Sequence, residues 1–346
     1  MITQQLNIKY PIIQAPMFGV TTPAMVAAAA QANCLGSLPL GDLPVEKCIA
    51  LIRATRQLTK QDFAINIFVN EVPAKTDLLR GQYFKAKQFI EHLAEQNHLT
   101  VSLPTFDEIQ LITYQEQLEA VMSEGCKILS FTFGNLDKLN IQRLKGNGTT
   151  LIGTCTSVKE ALILEESGID LICVQGFEAG GHRGTFASEE IPKIGGLSLL
   201  AQVYDKVKVP LIYAGGIYNT RTLLAAKTLG AQAFQIGSLL LGSTESALRD
   251  FEKERLRSIN EEDIVLTRSF SGRYARGINN IFIQAVEQTE HILPYPYQNK
   301  LTGELRKIAK ANNNADFVSI WAGQSLNGFS DQSTADILKE LVEGIE

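Results

Sequence analysis

The stretch Leu171-Ile172-Cys173-Val174-Gln175-Gly176-Phe177-Glu178-Ala179-Gly180-Gly181-His182-Arg183-Gly184-Thr185-Phe186 decides how this 346-residue chain is read. Its first four residues are apolar without alternation, as in a parallel strand buried on both faces. They run into a loop in which four glycines surround a histidine. Glycine at the end of a buried strand lets backbone approach a ligand closely. Histidine is the side chain whose unperturbed pKa lies near neutrality, so His182 can act as base, acid or hydrogen-bond donor.

Working outward, similar runs bounded by Gly or Pro recur at Ile12–Ala15, Leu35–Leu38, Phe63–Val69, Ile128–Phe133, Leu151–Thr154, Leu211–Ala214 and Ala233–Ile236, which with Leu171–Val174 makes eight. Helix-compatible segments lie between them, at Thr22–Gln31, Pro44–Leu58, Ser157–Ser167, Ser198–Lys206 and Thr220–Leu229. Strand and helix alternating eight times predicts a (β/α)8 TIM barrel. Such barrels need about 250 residues, so the rest is read as additions. The expected layout is a barrel over 1–244 with an enlarged crossover at about 70–127, a small, mainly helical capping subdomain over 245–314, and a segment over 315–346 that packs back on the barrel. Within the crossover, Gly81–Asn97 and Phe106–Glu124 read as helices, as does Glu245–Ile259 beyond the eighth strand.

The bulk numbers exclude several classes of function. A hydrophobic content of 45% with 20% charged residues describes a globular chain able to bury a large core. A net charge of −5 argues against nucleic acid as a partner. The five cysteines have no CxxC spacing, which predicts reduced thiols, no disulfide framework and no metal site. No apolar run reaches about 18 residues and no export signal opens the chain, so a cytoplasmic protein without a membrane span is expected. Rossmann, Walker, zincin and nucleophile-elbow motifs are missing. His92, His98 and His291 read as surface residues.

Barrel chemistry takes place at the C-terminal ends of the strands. Those ends carry Ala15-Pro16-Met17, Asn66 within the third run, Thr132 at the fourth, Gln175 at the sixth, Gly215-Gly216 at the seventh, and Gln235-Ile236-Gly237-Ser238 at the eighth. Buried amides such as Asn66 and Gln175 need partners, which either a planar heterocycle or the protein itself can supply. Two glycine-rich ends on the seventh and eighth strands, followed by a short helical segment at Leu239–Leu241, form the expected phosphate position of a barrel. Gly180 and Gly181 complete the candidate cofactor set, with His182 as the catalytic candidate.

The stretches Pro11–Met17, Asn66–Val69, Ser130–Gly134 and Gly176–Phe186, followed by Ala214–Ile217, Gln235–Ser238, Phe270–Ile278, Pro296–Thr302 and Trp321–Gln324, resemble the nitronate monooxygenases. The resemblance implies FMN bound non-covalently at the top of the barrel, with Asn66, Gln175, Gly180, Gly216 and Gln235 through Ser238 holding flavin and phosphate and His182 catalytic. It implies a detoxifying oxidation of alkyl nitronates by dioxygen to a carbonyl compound and nitrite. Neutral nitroalkanes are a second substrate class, for which His182 would act as base. Tyr274, Tyr295 and Tyr297 are expected to line the substrate side, as is Thr132, where some members carry a second histidine. Asn33-Cys34 stands where the family often has Gly-Gly, a change Asn tolerates if its φ is positive. The alternatives are a flavin reductase of the enoyl-acyl-carrier-protein or quinone type that uses NAD(P)H, and a flavin-binding module without turnover.

Overall fold

In the computed structural model, which describes residues 1–325 and 329–344, each of the eight apolar runs becomes a strand or leads into one. These are β1 (Ile12–Gln14), β2 (Ser37–Gly41), β3 (Ala64–Phe68), β4 (Ile128–Thr132), β5 (Thr150–Cys155), β6 (Leu171–Gln175), β7 (Leu211–Ala214) and β8 (Ala233–Ile236). Their order is β1-β8-β7-β6-β5-β4-β3-β2, and every pair is parallel. Leu35, just before β2, closes the ring. It bridges to Ile13, with Gln14 N–H donating to its carbonyl at 2.8 Å and its own N–H donating to Ile12 at 2.9 Å. The expected (β/α)8 barrel is the observed fold.

The helices start where side chains can satisfy their first N–H groups. Thr22 accepts from Met25 N–H ahead of Pro23–Gln31, Asp137 from Asn140 ahead of Lys138–Gly146, Ser157 from Glu160 ahead of Val158–Glu166, and Asn219 from Thr222 ahead of Thr220–Thr228. Lys138–Gly146 was not foreseen. Phe106–Glu124 is helical only over Tyr114–Ser123. Its first part is a turn instead, because Glu108 accepts from both the N–H and the hydroxyl of Thr105 and Lys75 bonds the carbonyls of Phe106 and Ile109.

Strand parity sorts the barrel core into two layers. Ile12, Ile65, Ile67, Leu129, Phe131, Leu151, Ile172, Val174, Leu211 and Phe234 join the layer packed against the helices. Ile13, Ala64, Ile128, Ile152, Leu171, Cys173, Ile212 and Ala233 form a second, inner cluster with Ile2 and Leu6 of the N-terminal helical turn. The inner set lies at the strand starts, so the turn Ile2–Gln5 plugs that end. Continuing the same parity toward the strand ends gives Asn66, Ser130, Thr132, Thr154, Gln175 and Gln235. Period 2 therefore turns the inner face from apolar to polar at the C-terminal mouth.

The chain divides into two compact units: residues 1–70, 112–248 and 323–346, and residues 71–111 and 249–322. This differs from the expected division. Residues 71–111, read as part of a barrel crossover, belong with 249–322, because Phe106 stacks on Tyr297 at 5.6 Å and meets Tyr83 edge-on at 5.4 Å. The segment 315–346 splits at Gly323, and 326–328 and 345–346 within it lie outside the described residues. The second unit contains helices such as Asp77–Gln96 and Gly303–Ala311, but also an antiparallel pair, β9 (Ile264–Thr267) and β10 (Ala275–Ile278). The barrel's eighth helix is Thr334–Glu343, which packs on Pro23–Gln31. Among the described residues no helix is long and apolar enough to cross a membrane.

Candidate active site

The loop after β6 is held by buried polar groups at both ends. At its entrance the Gln175 side chain donates to the His182 carbonyl at 2.9 Å and accepts from Gly184 N–H at 2.9 Å, so one amide spans the histidine. Arg183 is buried. Its guanidinium donates to the carbonyls of Gly176 at 2.6 Å and Gln175 at 3.1 Å and lies over the Phe177 ring. At the exit Glu160 is fully buried. One of its oxygens accepts from Phe186 N–H at 2.6 Å and Ala187 N–H at 3.0 Å, and the other from the N–H and hydroxyl of Thr156. The Thr156 and Thr185 hydroxyls lie 2.7 Å apart. The loop is thus braced at both ends by side chains.

His182 is half-buried and meets the Phe133 ring edge-on at 5.6 Å. Phe133 has φ +74, a conformation a bulky residue adopts only under constraint. The constraint is local. A Cβ on the next residue, Gly134, would lie 1.8 Å from the Val69 carbonyl oxygen, and the Phe133 ring packs on Phe68 at 4.6 Å. Thr132 places its hydroxyl against Gly184, where an added Cβ would come within 2.8 Å of it. Asn66 is buried and donates to Ser130 Oγ at 2.9 Å.

Across the barrel mouth, Ala15 N–H donates to the Ile236 carbonyl at 2.8 Å, joining the end of β1 to that of β8. Gly237 then caps a short 3-10 turn, Ser238–Leu240. The place a Gly237 Cβ would take is bordered by Ala15 Cβ at 3.6 Å and Met17 Sδ at 3.8 Å. Pro16 is half-buried between those two, and the Ile236 side chain belongs to the outer core, leaving its backbone for the site. Gln235 is half-buried on the inner face. Gly180, Gly181, Gly215 and Gly216 join this end, with Gly215 and Gly216 at φ +134 and +67. Ser238 Oγ accepts from Gly323 N–H at 2.8 Å, Gln324 N–H donates to the Glu178 carbonyl, and Ser325 Oγ donates to Gly216. The returning chain therefore forms part of the glycine-lined end, which the sequence did not reveal.

Glu178 was also missed. Its carboxylate accepts from the Tyr213 hydroxyl and from Gly196 N–H at 2.9 Å. An added Cβ at Gly176, Gly196 or Gly215 would come within 3.0 Å of it. Part of the glycine signal read as a phosphate anchor therefore reflects room for this carboxylate. Burial, then the neighbouring Glu178, push the Tyr213 phenol pKa well up, keeping it a donor.

The three candidate tyrosines belong to the second unit. Tyr297 is fully buried there and donates to the Pro73 carbonyl at 2.7 Å, Tyr295 is buried, and Tyr274 is half-buried with the Arg268 guanidinium 5.1 Å from its ring centroid. Asn33 has φ +56, the conformation its place in a usual Gly-Gly pair requires. The cysteines are buried and free, and burial raises every thiol pKa, to about 11 for Cys48 and Cys126, to about 12 for Cys34 and Cys173, and well up for Cys155. Among the described residues no group of three His, Cys, Asp or Glu side chains could hold a metal ion.

A parallel barrel whose C-terminal mouth carries a braced histidine, inward amides and a glycine-lined turn has the design of a TIM-barrel enzyme that keeps its chemistry on that face. The nitronate monooxygenase family pattern matches residues 1–344, and the chain belongs to that family. It is an oxidoreductase of the class that oxidises nitronates. A probable nitronate monooxygenase of Staphylococcus haemolyticus is 36% identical over all of this chain and 96% of its own length. One from Staphylococcus aureus is 37% identical over 94% of this chain and 91% of its own. Among solved structures, nitroalkane oxidase from Streptomyces ansochromogenes superposes with a TM-score of 0.89 at 30% identity, covering 99% of this chain and 98% of that one. FabK from Thermotoga maritima shares the fold, with a TM-score of 0.76 at 24% identity over 99% and 94%.

Proposed function

We propose that this enzyme binds FMN non-covalently at the C-terminal mouth of its barrel and uses dioxygen to oxidise alkyl nitronates to a carbonyl compound and nitrite, with His182 acting on the nitro group. The observation that carries this reading is that one mouth holds both a braced histidine and a glycine-backed 3-10 turn. The residues fit a flavin phosphate: Gly237 itself puts no side chain into the space there, the nearest side-chain atoms to an added Cβ being Ala15 Cβ at 3.6 Å and Met17 Sδ at 3.8 Å, and the first N–H groups of a helical turn are ready donors. Gly180, Gly181, Gly215, Gly216 and Ser238 would surround the phosphate, and Ala15, Pro16, Met17, Asn66, Gln235 and the Ile236 backbone would face the rings. Gln175 is engaged with the loop backbone and has its second amide N–H and the other lone pair of its carbonyl oxygen to offer.

FMN supplies the electron transfer when bound. The chain's own residues supply position. Gln175 fixes the His182 carbonyl, and Phe133 stands at the ring's edge, so the imidazole is oriented before substrate arrives. A nitronate is already an anion, and His182 donates a hydrogen bond to its nitro oxygens. With a neutral nitroalkane, a ring nitrogen of His182 takes the α-proton as general base, a contribution of typically about 10²–10⁴-fold.

The test has three parts. Denaturation should release FMN, and FAD or no flavin would refute the cofactor assignment. Anaerobic mixing should bleach the flavin with nitronate, whereas bleaching by NAD(P)H alone would favour a reductase. His182→Asn should retain flavin and lose nitroalkane turnover far more than nitronate turnover. Equal losses would make His182 a recognition residue, and no loss would remove it from the chemistry.

A further inference from the structure

We propose that Glu160 is a positioning residue for His182: its buried carboxylate fixes the exit of the histidine loop and through it the place of the imidazole. This inference rests on the catalytic reading of His182 given above. Glu160 begins as an ordinary helix-start residue. Ser157-Val158-Lys159-Glu160 has the spacing of a capping box, and Ser157 Oγ accepts from Glu160 N–H at 3.2 Å. In a plain box the Glu side chain turns back to the cap residue's N–H and stays in solvent. A box of that plain kind occurs elsewhere in the protein, where Glu116 accepts from the N–H and hydroxyl of Thr113 on an exposed helix start.

Glu160 departs from that pattern in two ways. It is fully buried, and only one of its oxygens serves its own helix start, through Thr156. The other reaches a different segment, taking Phe186 N–H and Ala187 N–H, which lie four and five residues beyond His182. Donors face both oxygens, so the site calls for an acceptor at each. A carboxylate meets this requirement, and charge-assisted bonds of this length are the stronger kind. A glutamine of the same shape would turn its NH2 toward the N–H of Thr156 or toward those of Phe186 and Ala187, losing one end of the clasp. Gln175 and Arg183 hold the loop before and at the histidine. Glu160 holds it after, and with both ends tied the thirteen residues from Gln175 to Ala187 have no free end through which His182 could drift.

The test is a double-mutant cycle on the flavin-loaded enzyme with a neutral nitroalkane substrate, for which His182 acts as base. Glu160→Gln should lower kcat by about tenfold to hundredfold, the scale of an ångström-sized misplacement of a catalytic group, with little change in KM or flavin content. In the His182→Asn background the same substitution should cost almost nothing further. Hydrogen exchange of the Phe186 and Ala187 amides, measured without substrate, should accelerate in Glu160→Gln. Thr156→Val should act in the same direction to a smaller extent, which keeps the test open if Glu160→Gln folds poorly. Glu116→Gln, the exposed counterpart, should leave kcat unchanged. Losses that add in the double mutant, or loop amides that exchange at the wild-type rate, would overturn the proposal. A His182→Asn enzyme with full activity would instead refute the catalytic reading beneath it.

Discussion

Gly184 lies two residues beyond His182 and is wedged between two strand ends, so adding a single methyl group there tests how the loop controls the reaction. A Cβ at Gly184 would lie 2.8 Å from Thr132 Oγ1 on β4 and 2.9 Å from Thr154 Cγ2 on β5. Ordinary contact begins near 3.4 Å, so Gly184→Ala must move the loop by about 0.6 Å or displace both threonines. Overpacking of this kind typically costs about 1–3 kcal/mol. Moving the loop also stretches the Gly184 N–H bond to Gln175, whose other end holds the His182 carbonyl. If a misplacement of about 1 Å costs about a hundredfold, a shift of this size should cost about tenfold in kcat/KM. Steady-state oxygen consumption with a nitronate, together with thermal unfolding, measures both effects. The double variant Gly184→Ala with Thr132→Ala removes the nearer clash and should recover part of the activity. Wild-type kcat/KM and melting temperature in Gly184→Ala would refute the coupling of loop position to turnover, as would a double variant no better than the single one.

Gly216 has φ +67 and lies 3.4 Å, measured from an added Cβ, from Glu178 Cγ. Gly216→Val should therefore release flavin on gel filtration while the circular dichroism of the barrel persists, and a tightly retained flavin would remove Gly216 from the cofactor end. With thiol pKa values raised to about 11 or 12 at Cys34, Cys48, Cys126 and Cys173, the folded protein at pH 8 should react slowly with a thiol reagent, since the thiolate is the nucleophile. Unfolding should expose all five. Because these values are raised in the folded state, their contribution to stability is fully present below the unfolded value near 9 and declines as pH rises from 9 toward 12. Denaturation midpoints that stay constant over that range would contradict it.

The sequence alone determined the barrel, because local chemistry is enough to mark buried parallel strands. Runs such as Leu211–Ala214 and Ala233–Ile236, mainly apolar and each followed by glycine, match the strands residue for residue. It also placed His182, Asn66, Gln175 and the glycine ends on one face, because a parallel barrel puts all its strand ends on the same side. Tertiary structure decided what those residues do for one another. Gln175, read as a cofactor ligand, also bonds the loop backbone seven and nine residues away. Glu160 and Glu178 carry no signal beyond a capping box and a loop carboxylate, since their partners at Ala187, Gly196 and Tyr213 are distant in sequence. The assignment of residues 71–111 to the second unit was equally hidden, because stacking of Phe106 on Tyr297 joins positions 191 residues apart. Periodicity records which face a residue shows, and it carries no record of which distant donor will meet it there.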